Sequence, residues 1–205
     1  MIKNIIFDVG AVLVDFRYHD LMVDLGFDRE TIDVIEEKLI GNSELWGRLD
    51  LGIEPEEVTV ERMLKEVSGF EPAVRIFFEN KIDIVRTYPY TVPWLTSLRE
   101  KGFKIYLLSN YPKNWWILHD EKRFGFTHLT DGKIVSGFVN MTKPHDEIYN
   151  CLFKTYNLNP DECLFFDDRK ENIEGAVRNG MHGHVFVSYE DADNYLNELI
   201  KSENK

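Results

Sequence analysis

Asp8, the pair Ser109-Asn110, Lys143 and the pair Asp167-Asp168 are the residues of this chain whose types and settings could do chemistry. Asp8 ends the short β-rich run 2–7 and precedes a turn at Gly10. Asp167-Asp168 follows a second β-rich run, 163–166, and Ser109-Asn110 closes a third, 104–109. If these runs are parallel strands, their C-terminal ends bring the polar residues to one rim, where ligands of such folds bind. Three carboxylates converging there repel one another unless a divalent cation neutralises them. Oxygen-only ligands favour Mg²⁺, which keeps several waters and often shares a substrate phosphate. The Ser109 hydroxyl and the Asn110 amide, just ahead of an expected helix, suit an anionic oxygen. Lys143, before Pro144, supplies a positive point charge from a loop. Taken singly, each feature has an ordinary explanation as a helix cap, a turn or a solvated charge. Their order, all at strand ends, carries the reading.

The elements that must hold these groups alternate along the chain. A strand over 2–7 is followed, from about 16 to 86, by helical patterning. Asp28 can cap a helix running to Leu39 with Gly41 just beyond, a second segment starts near Pro55, and a third runs from Pro72 toward Ile82. No strand is expected in this stretch. From Tyr88-Pro89 onward the spacing predicts a helix over 93–101, a strand over 104–109 and a helix over 113–123. A β-hairpin is expected around Asp131-Gly132, then a helix over 146–156, a strand over 163–166, a helix over 171–179, a strand over 185–187 and a helix over 191–200. Alternating strands and helices specify an α/β fold: a doubly wound parallel sheet, Rossmann-like, with right-handed crossovers. The expected division is a core of residues 1–15 and 88–205, with an inserted all-helical cap subdomain over 16–87.

Composition bounds the function. The 205 residues suffice for one α/β domain with a modest insertion, and 43% hydrophobic with 29% charged residues is globular composition. The net charge of −12 argues against nucleic acid and against charge-driven binding to anionic membranes, so a small anionic substrate needs a local positive cluster. Cys151 and Cys163 lie in apolar surroundings without metal-ligand spacing, which fits reduced thiols in the cytoplasm. No apolar run approaches a membrane span, and no signal-peptide core is visible.

Four ordered motifs resemble those of the haloacid dehalogenase superfamily, and the match covers nearly the whole chain. Phe7-Asp8-Val9-Gly10-Ala11-Val12-Leu13 resembles the family's first motif, Leu107-Leu108-Ser109-Asn110 its second and Lys143-Pro144 its third. The run Phe165-Phe166-Asp167-Asp168-Arg169-Lys170-Glu171-Asn172 resembles its acidic fourth. The helical insertion resembles the family's cap of the first type. The forms of motifs one and four resemble the branch of bacterial sugar-phosphate phosphatases that includes α-D-glucose-1-phosphate phosphatase. The resemblance implies that Asp8 attacks phosphorus to form an aspartyl-phosphate. It implies Mg²⁺ held by Asp8, the Gly10 carbonyl and Asp168, with Asp167 as a further ligand or support. Ser109 and Asn110 would bind the phosphoryl oxygens, and Lys143 would offset the charge.

One position departs from the pattern. Most phosphatases of this family carry a general acid two residues after the nucleophile, and here that residue is Gly10. Losing a positioned acid/base typically costs about 10²–10⁴-fold in rate. Asp15, His19 or a residue of the cap would have to substitute, or the substrate would have to be an easily cleaved one such as an anomeric phosphate. Within the cap, Trp46 and Arg48 are the expected substrate contacts, stacking on a sugar and binding its polar groups. The expected function is thus a Mg²⁺-dependent phosphatase of a small phosphorylated metabolite, acting as a monomer or homodimer. The alternatives are a metal-independent hydrolase of the dehalogenase type, which leaves Asp167-Asp168 unexplained, and a non-enzymatic interaction protein that retains the fold.

Overall fold

The computed structural model describes residues 1–41 and 43–203, and the side chains of all of these except Ser43 and Glu203. Its strands are β1 (Asn4–Phe7), β2 (Val14–Phe16), β3 (Val85–Thr87), β4 (Lys104–Ser109), β5 (Gly132–Val135), β6 (Cys163–Asp167) and β7 (His182–Val185). Five of them form one parallel sheet in the order β5-β4-β1-β6-β7. β1 is central and buried at every position, the polar Asn4 included, which is why Ile5, Ile6 and Phe7 follow one another without alternation. Phe7 stands level with Leu107 of β4 and with Phe166 of β6. That register fixes where the three strands end, and so brings Asp8, Ser109 and Asp167 to one rim. Phe7 packs edge-on against Trp94 at 4.8 Å and stacks on Phe166 at 5.6 Å beneath that rim. Truncating such a buried ring costs about 3–5 kcal/mol.

Between β2 and β3 lie helices α1 (Tyr18–Asp24), α2 (Arg29–Ile35), α3 (Ser43–Leu51), α4 (Glu56–Glu66) and α5 (Glu71–Glu79). The cap expected of Asp28 is present, its carboxylate accepting from Thr31 N at 2.9 Å. α2 then widens into a π-type turn over Glu36–Ile40. α6 (Thr91–Glu100), α7 (Lys113–His119), α8 (Ser136–Val139), α9 (Asp146–Tyr156), α10 (Lys170–Arg178) and α11 (Tyr189–Glu203) complete the chain. Among the described residues, no helix is long and apolar enough to cross a membrane.

The structure corrects three expectations. Strands do occur at the margins of the 16–86 stretch, because β2 and β3 pair antiparallel, with Phe16 opposite Val85. Asp131-Gly132 does not turn a hairpin. Gly132 begins β5, which runs parallel to β4, and a Cβ at Gly132 would strike the Tyr156 ring at 2.3 Å. Glycine is needed there for packing, while the Asp131 carboxylate accepts from Ile105 N at 2.9 Å and pairs with Arg99. The last strand is His182–Val185 rather than 185–187, because pairing with β6 sets its limits.

Candidate active site

Asp8 takes its place from β1, one residue beyond the last strand position, where its N–H donates to Phe166 O at 2.9 Å. The carboxylate is almost fully buried and accepts from Val9 N at 2.6 Å. Lys143 Nζ lies 3.0 Å from Asp8 Oδ1 and 2.6 Å from Asp167 Oδ2, so one ammonium bridges two carboxylates. Lys143 is held by its own backbone. Its N–H donates to Asn110 Oδ1 at 2.8 Å, and its carbonyl accepts from Asn110 Nδ2 at 3.0 Å. Asp167 is saturated, since it also accepts from Asn172 Nδ2 at 2.9 and 3.0 Å and from Arg169 N at 2.8 Å. Asp168, next in the chain, is exposed.

The Asp8 carboxyl is raised to about 7, with burial the largest cause. Lys143 pulls it down, while Asp167 and Asp168 push it further up. Asp168 is raised by its partial burial and by Asp167. Burial works against the Lys143 ammonium, but Asp167 and Asp8 outweigh it and raise its value. A site that raises two neighbouring carboxyls while one ammonium is already shared holds an excess of negative charge. Asp8, Asp167 and Asp168 each offer an oxygen, and these atoms lie within 4.8 Å of one another. An all-oxygen set with surplus anionic charge fits a hard divalent cation such as Mg²⁺. Lys143 and Asn172 already occupy Asp167, so the freer oxygens belong to Asp8 and Asp168.

A pocket of about 240 Å³ opens above this cluster, with Asp8, Gly10, Asn110, Lys143 and Asp168 on its core side. The opposite side is aromatic and comes partly from the insertion. Phe16 and Trp46 meet at 6.0 Å, and Trp46 meets Trp115 edge-on at 5.7 Å. Asp50, one helical turn after Trp46 on α3, also lines the pocket. Burial pushes its carboxyl up to about 7, Asp8 adds to the push, and Lys143 and Arg169 oppose it.

Most residues singled out by the sequence converge here: Asp8, Gly10, Asn110, Lys143, Asp168 and Trp46 line the pocket, and Asp167 supports them from below. Ser109 lies just beneath the wall, its hydroxyl buried and, among the described residues, without a hydrogen-bond partner. An orphaned hydroxyl beside an ammonium and a carboxylate cluster fits an anionic oxygen. Asn110 differs from expectation, because its side-chain amide is spent on the Lys143 backbone. Arg48 does not line the pocket. Its guanidinium instead forms a fork with Glu54, at 2.9 and 3.0 Å. Two residues beyond Trp46 on a helix, it belongs to a different face. Asp15 and His19 do not line the pocket either, and His19 pairs with Glu36 at 2.6 Å. Trp115, near the start of α7, borders the pocket, while its neighbour Trp116 is core. His184 is structural, stacked on Tyr195 and bonded to Asp191. Asp50 escaped the sequence reading. Its signal was the four-residue spacing from Trp46.

Comparison with known proteins gives the family of the chain. The family model for haloacid dehalogenase-like hydrolases matches residues 2–180, and the chain belongs to that family. It is 28% identical to the D-ribitol-5-phosphate phosphatase of Bacteroides thetaiotaomicron, over 84% of this chain and 86% of the relative. It is 26% identical to the sesquiterpene phosphatase astK of Aspergillus oryzae, over 88% of each. Among solved structures, an enzyme of the same family from B. thetaiotaomicron, in complex with magnesium and inorganic phosphate, superposes with a TM-score of 0.72. That likeness, at 21% identity over 90% of this chain and 94% of the other, shows the fold.

Proposed function

We propose that this hydrolase is a Mg²⁺-dependent phosphatase of small phosphorylated metabolites, with sugar phosphates as the first substrate class to try. The observation that carries the reading is the shared ammonium. Lys143 bridges Asp8 and Asp167 at 3.0 and 2.6 Å, on the floor of a pocket that Asp168 also borders. A lone nucleophile would need no such cluster, whereas phosphoryl transfer rests on positioning and charge stabilisation.

An Asp8 oxygen attacks phosphorus, the P–O bond to the alcohol breaks, and an aspartyl-phosphate results, which water then hydrolyses. Asp8 and Asp168, with the Gly10 carbonyl, are the groups to hold Mg²⁺, which when bound neutralises phosphoryl charge. Lys143 balances the anion from the other side, and the Ser109 hydroxyl supplies a donor. Asn110 acts on Lys143 by fixing its backbone. Residues 16–87 serve as the cap and residues 1–15 and 88–205 as the core, with Trp46 facing the non-reacting part of the substrate. The aromatic wall suits the apolar face of a sugar ring. An anomeric phosphate, as in α-D-glucose 1-phosphate, belongs in the panel because its leaving group asks least of an acid.

The test is phosphate release from a panel of sugar phosphates, with Mg²⁺ and with EDTA. Wild type should require the metal. Asp8→Asn should lose about 10⁴-fold or more in kcat. Absence of release from every substrate, with folded protein and metal present, would refute the proposal.

A further inference from the structure

We propose that Asp50, brought to the pocket by the last turn of α3, is the proton donor and acceptor of the phosphatase reaction, the task that Gly10 cannot perform. The inference rests on the phosphatase reading above and adds a residue to it.

The pocket is bordered by three carboxylates, Asp8, Asp50 and Asp168. Asp8 and Asp168 belong to the oxygen cluster, so Asp50 is the one left over. Among the described residues, no hydrogen bond or ion pair engages its carboxylate, although it borders a pocket that contains Lys143. An acidic side chain kept in such a place without a partner costs stability, and titratable groups so placed cluster at functional sites. Its environment raises it from 3.8 to about 7, where a carboxyl can both give and take a proton near neutrality.

The backbone around Asp50 is pinned to the core rather than left to the insertion. Ser136 Oγ donates to the Asp50 carbonyl at 2.5 Å, and Asn140 Nδ2 donates to the Leu51 carbonyl at 2.8 Å. The same Ser136 oxygen accepts from Tyr111 N at 2.8 Å, two residues after Ser109. Gly52 sits at φ +62 with its Cβ direction 2.8 Å from the Gly137 carbonyl, so two glycines allow the helix end to touch α8. These contacts tie Asp50 to the loop that follows β4. On the core side, a Cβ at Gly10 would meet nothing within 4 Å, so that flank of the pocket is open to a leaving group.

In the first step Asp8 Oδ forms a bond to phosphorus. The P–O bond to the alcohol breaks, and its electron pair leaves on oxygen, which takes the Asp50 proton. In the second step water attacks phosphorus and gives a proton to the Asp50 carboxylate. The bond between Asp8 and phosphorus breaks and restores the Asp8 carboxylate. Asp50 ends protonated, as it began.

The experiment compares an alkyl phosphate with p-nitrophenyl phosphate in wild type and Asp50→Asn, with Mg²⁺ present. The nitrophenolate leaves without a proton, so kcat/KM for it should stay within about threefold, while kcat/KM for the alkyl phosphate should fall about 10²–10³-fold. A burst of nitrophenol should appear as the aspartyl-phosphate accumulates. An equal fall on both substrates, or no fall on the alkyl phosphate, overturns the assignment. Circular dichroism and the urea unfolding midpoint check independently that the variant is folded. If Asp50→Asn does not fold, Asp50→Ala is read by the same ratio. No release by wild type from either substrate would instead sink the phosphatase reading. Release that Asp8→Asn abolishes, with both substrates equally affected by Asp50→Asn, would sink Asp50 alone.

Discussion

The two walls of the pocket are built on opposite plans. The core wall is charged and interlocked: Lys143 bridges two carboxylates, Asn110 holds Lys143, and Asn172 with Arg169 N holds Asp167. The insertion wall is mainly aromatic, with Trp46 and Phe16 half-buried, and its one charged group, Asp50, lacks a hydrogen-bonding or ion-pairing partner among the described residues. The difference separates two jobs. Groups that must balance one another's charge are fixed to strand ends, where sheet register sets their spacing. Trp46, which meets the variable part of a substrate, stands on a helix and can change without disturbing that balance.

Variants can break or sharpen this contrast. Asp8→Asn, on the core wall, should produce the largest loss of activity, about 10⁴-fold or more, measured as phosphate release. Lys143→Met should cost about 3–5 kcal/mol of stability in urea unfolding, because it strands Asp8 and Asp167 without their cation. That deficit should shrink as pH falls and Asp8, already raised by burial, takes a proton. Gly52→Ala, at the seam between the walls, should cost about 1–3 kcal/mol, since it combines a left-handed backbone with a 2.8 Å approach to the Gly137 carbonyl. Trp46→Ala, on the insertion wall, should raise KM about three- to tenfold with kcat largely kept, the worth of a single aromatic contact. A fall in kcat instead would place Trp46 among the groups that matter to the reacting centre.

The smallest effect concerns pH. Asp50 is raised in the folded chain from 3.8 to about 7, so folding favours its protonated form. Its contribution to stability is therefore complete below about pH 4 and lost as pH rises through 7. Asp50→Asn should be more stable than wild type at pH 8, by about 1 kcal/mol once screening in the open pocket is allowed for. The two proteins should converge at pH 4. Parallel pH profiles would show that Asp50 is better solvated than its setting suggests.

Much of the core wall was legible in the sequence because buried parallel strands are written mostly in apolar and β-branched residues, and the polar residue ending each run is conspicuous. The insertion wall was harder to read. Trp46 stood out by type, but Arg48 was grouped with it by proximity in sequence, whereas helical geometry groups it with Asp50. The partner that removes Arg48 from the pocket, Glu54, lies beyond the end of α3 and is visible only in the fold. The ribbon of β2 and β3 escaped notice because three-residue strands carry no period to detect, and their pairing spans the whole insertion. Asp131-Gly132 carried a genuine turn signal that tertiary packing overrode, since the Tyr156 ring occupies the space a side chain would need.

Gly10 has a consequence for how such an active site changes over generations. Its backbone lies outside the left-handed region, and a Cβ there meets no atom within 4 Å, so a side chain can be added without repacking. Glycine and aspartate codons differ by a single base. The chain thus stands one mutation from carrying an acid on the core wall as well as one on the insertion. A lineage can pass through that doubly supplied form in either direction, so the proton-handling duty can migrate between the end of β1 and α3 with no inactive ancestor along the way.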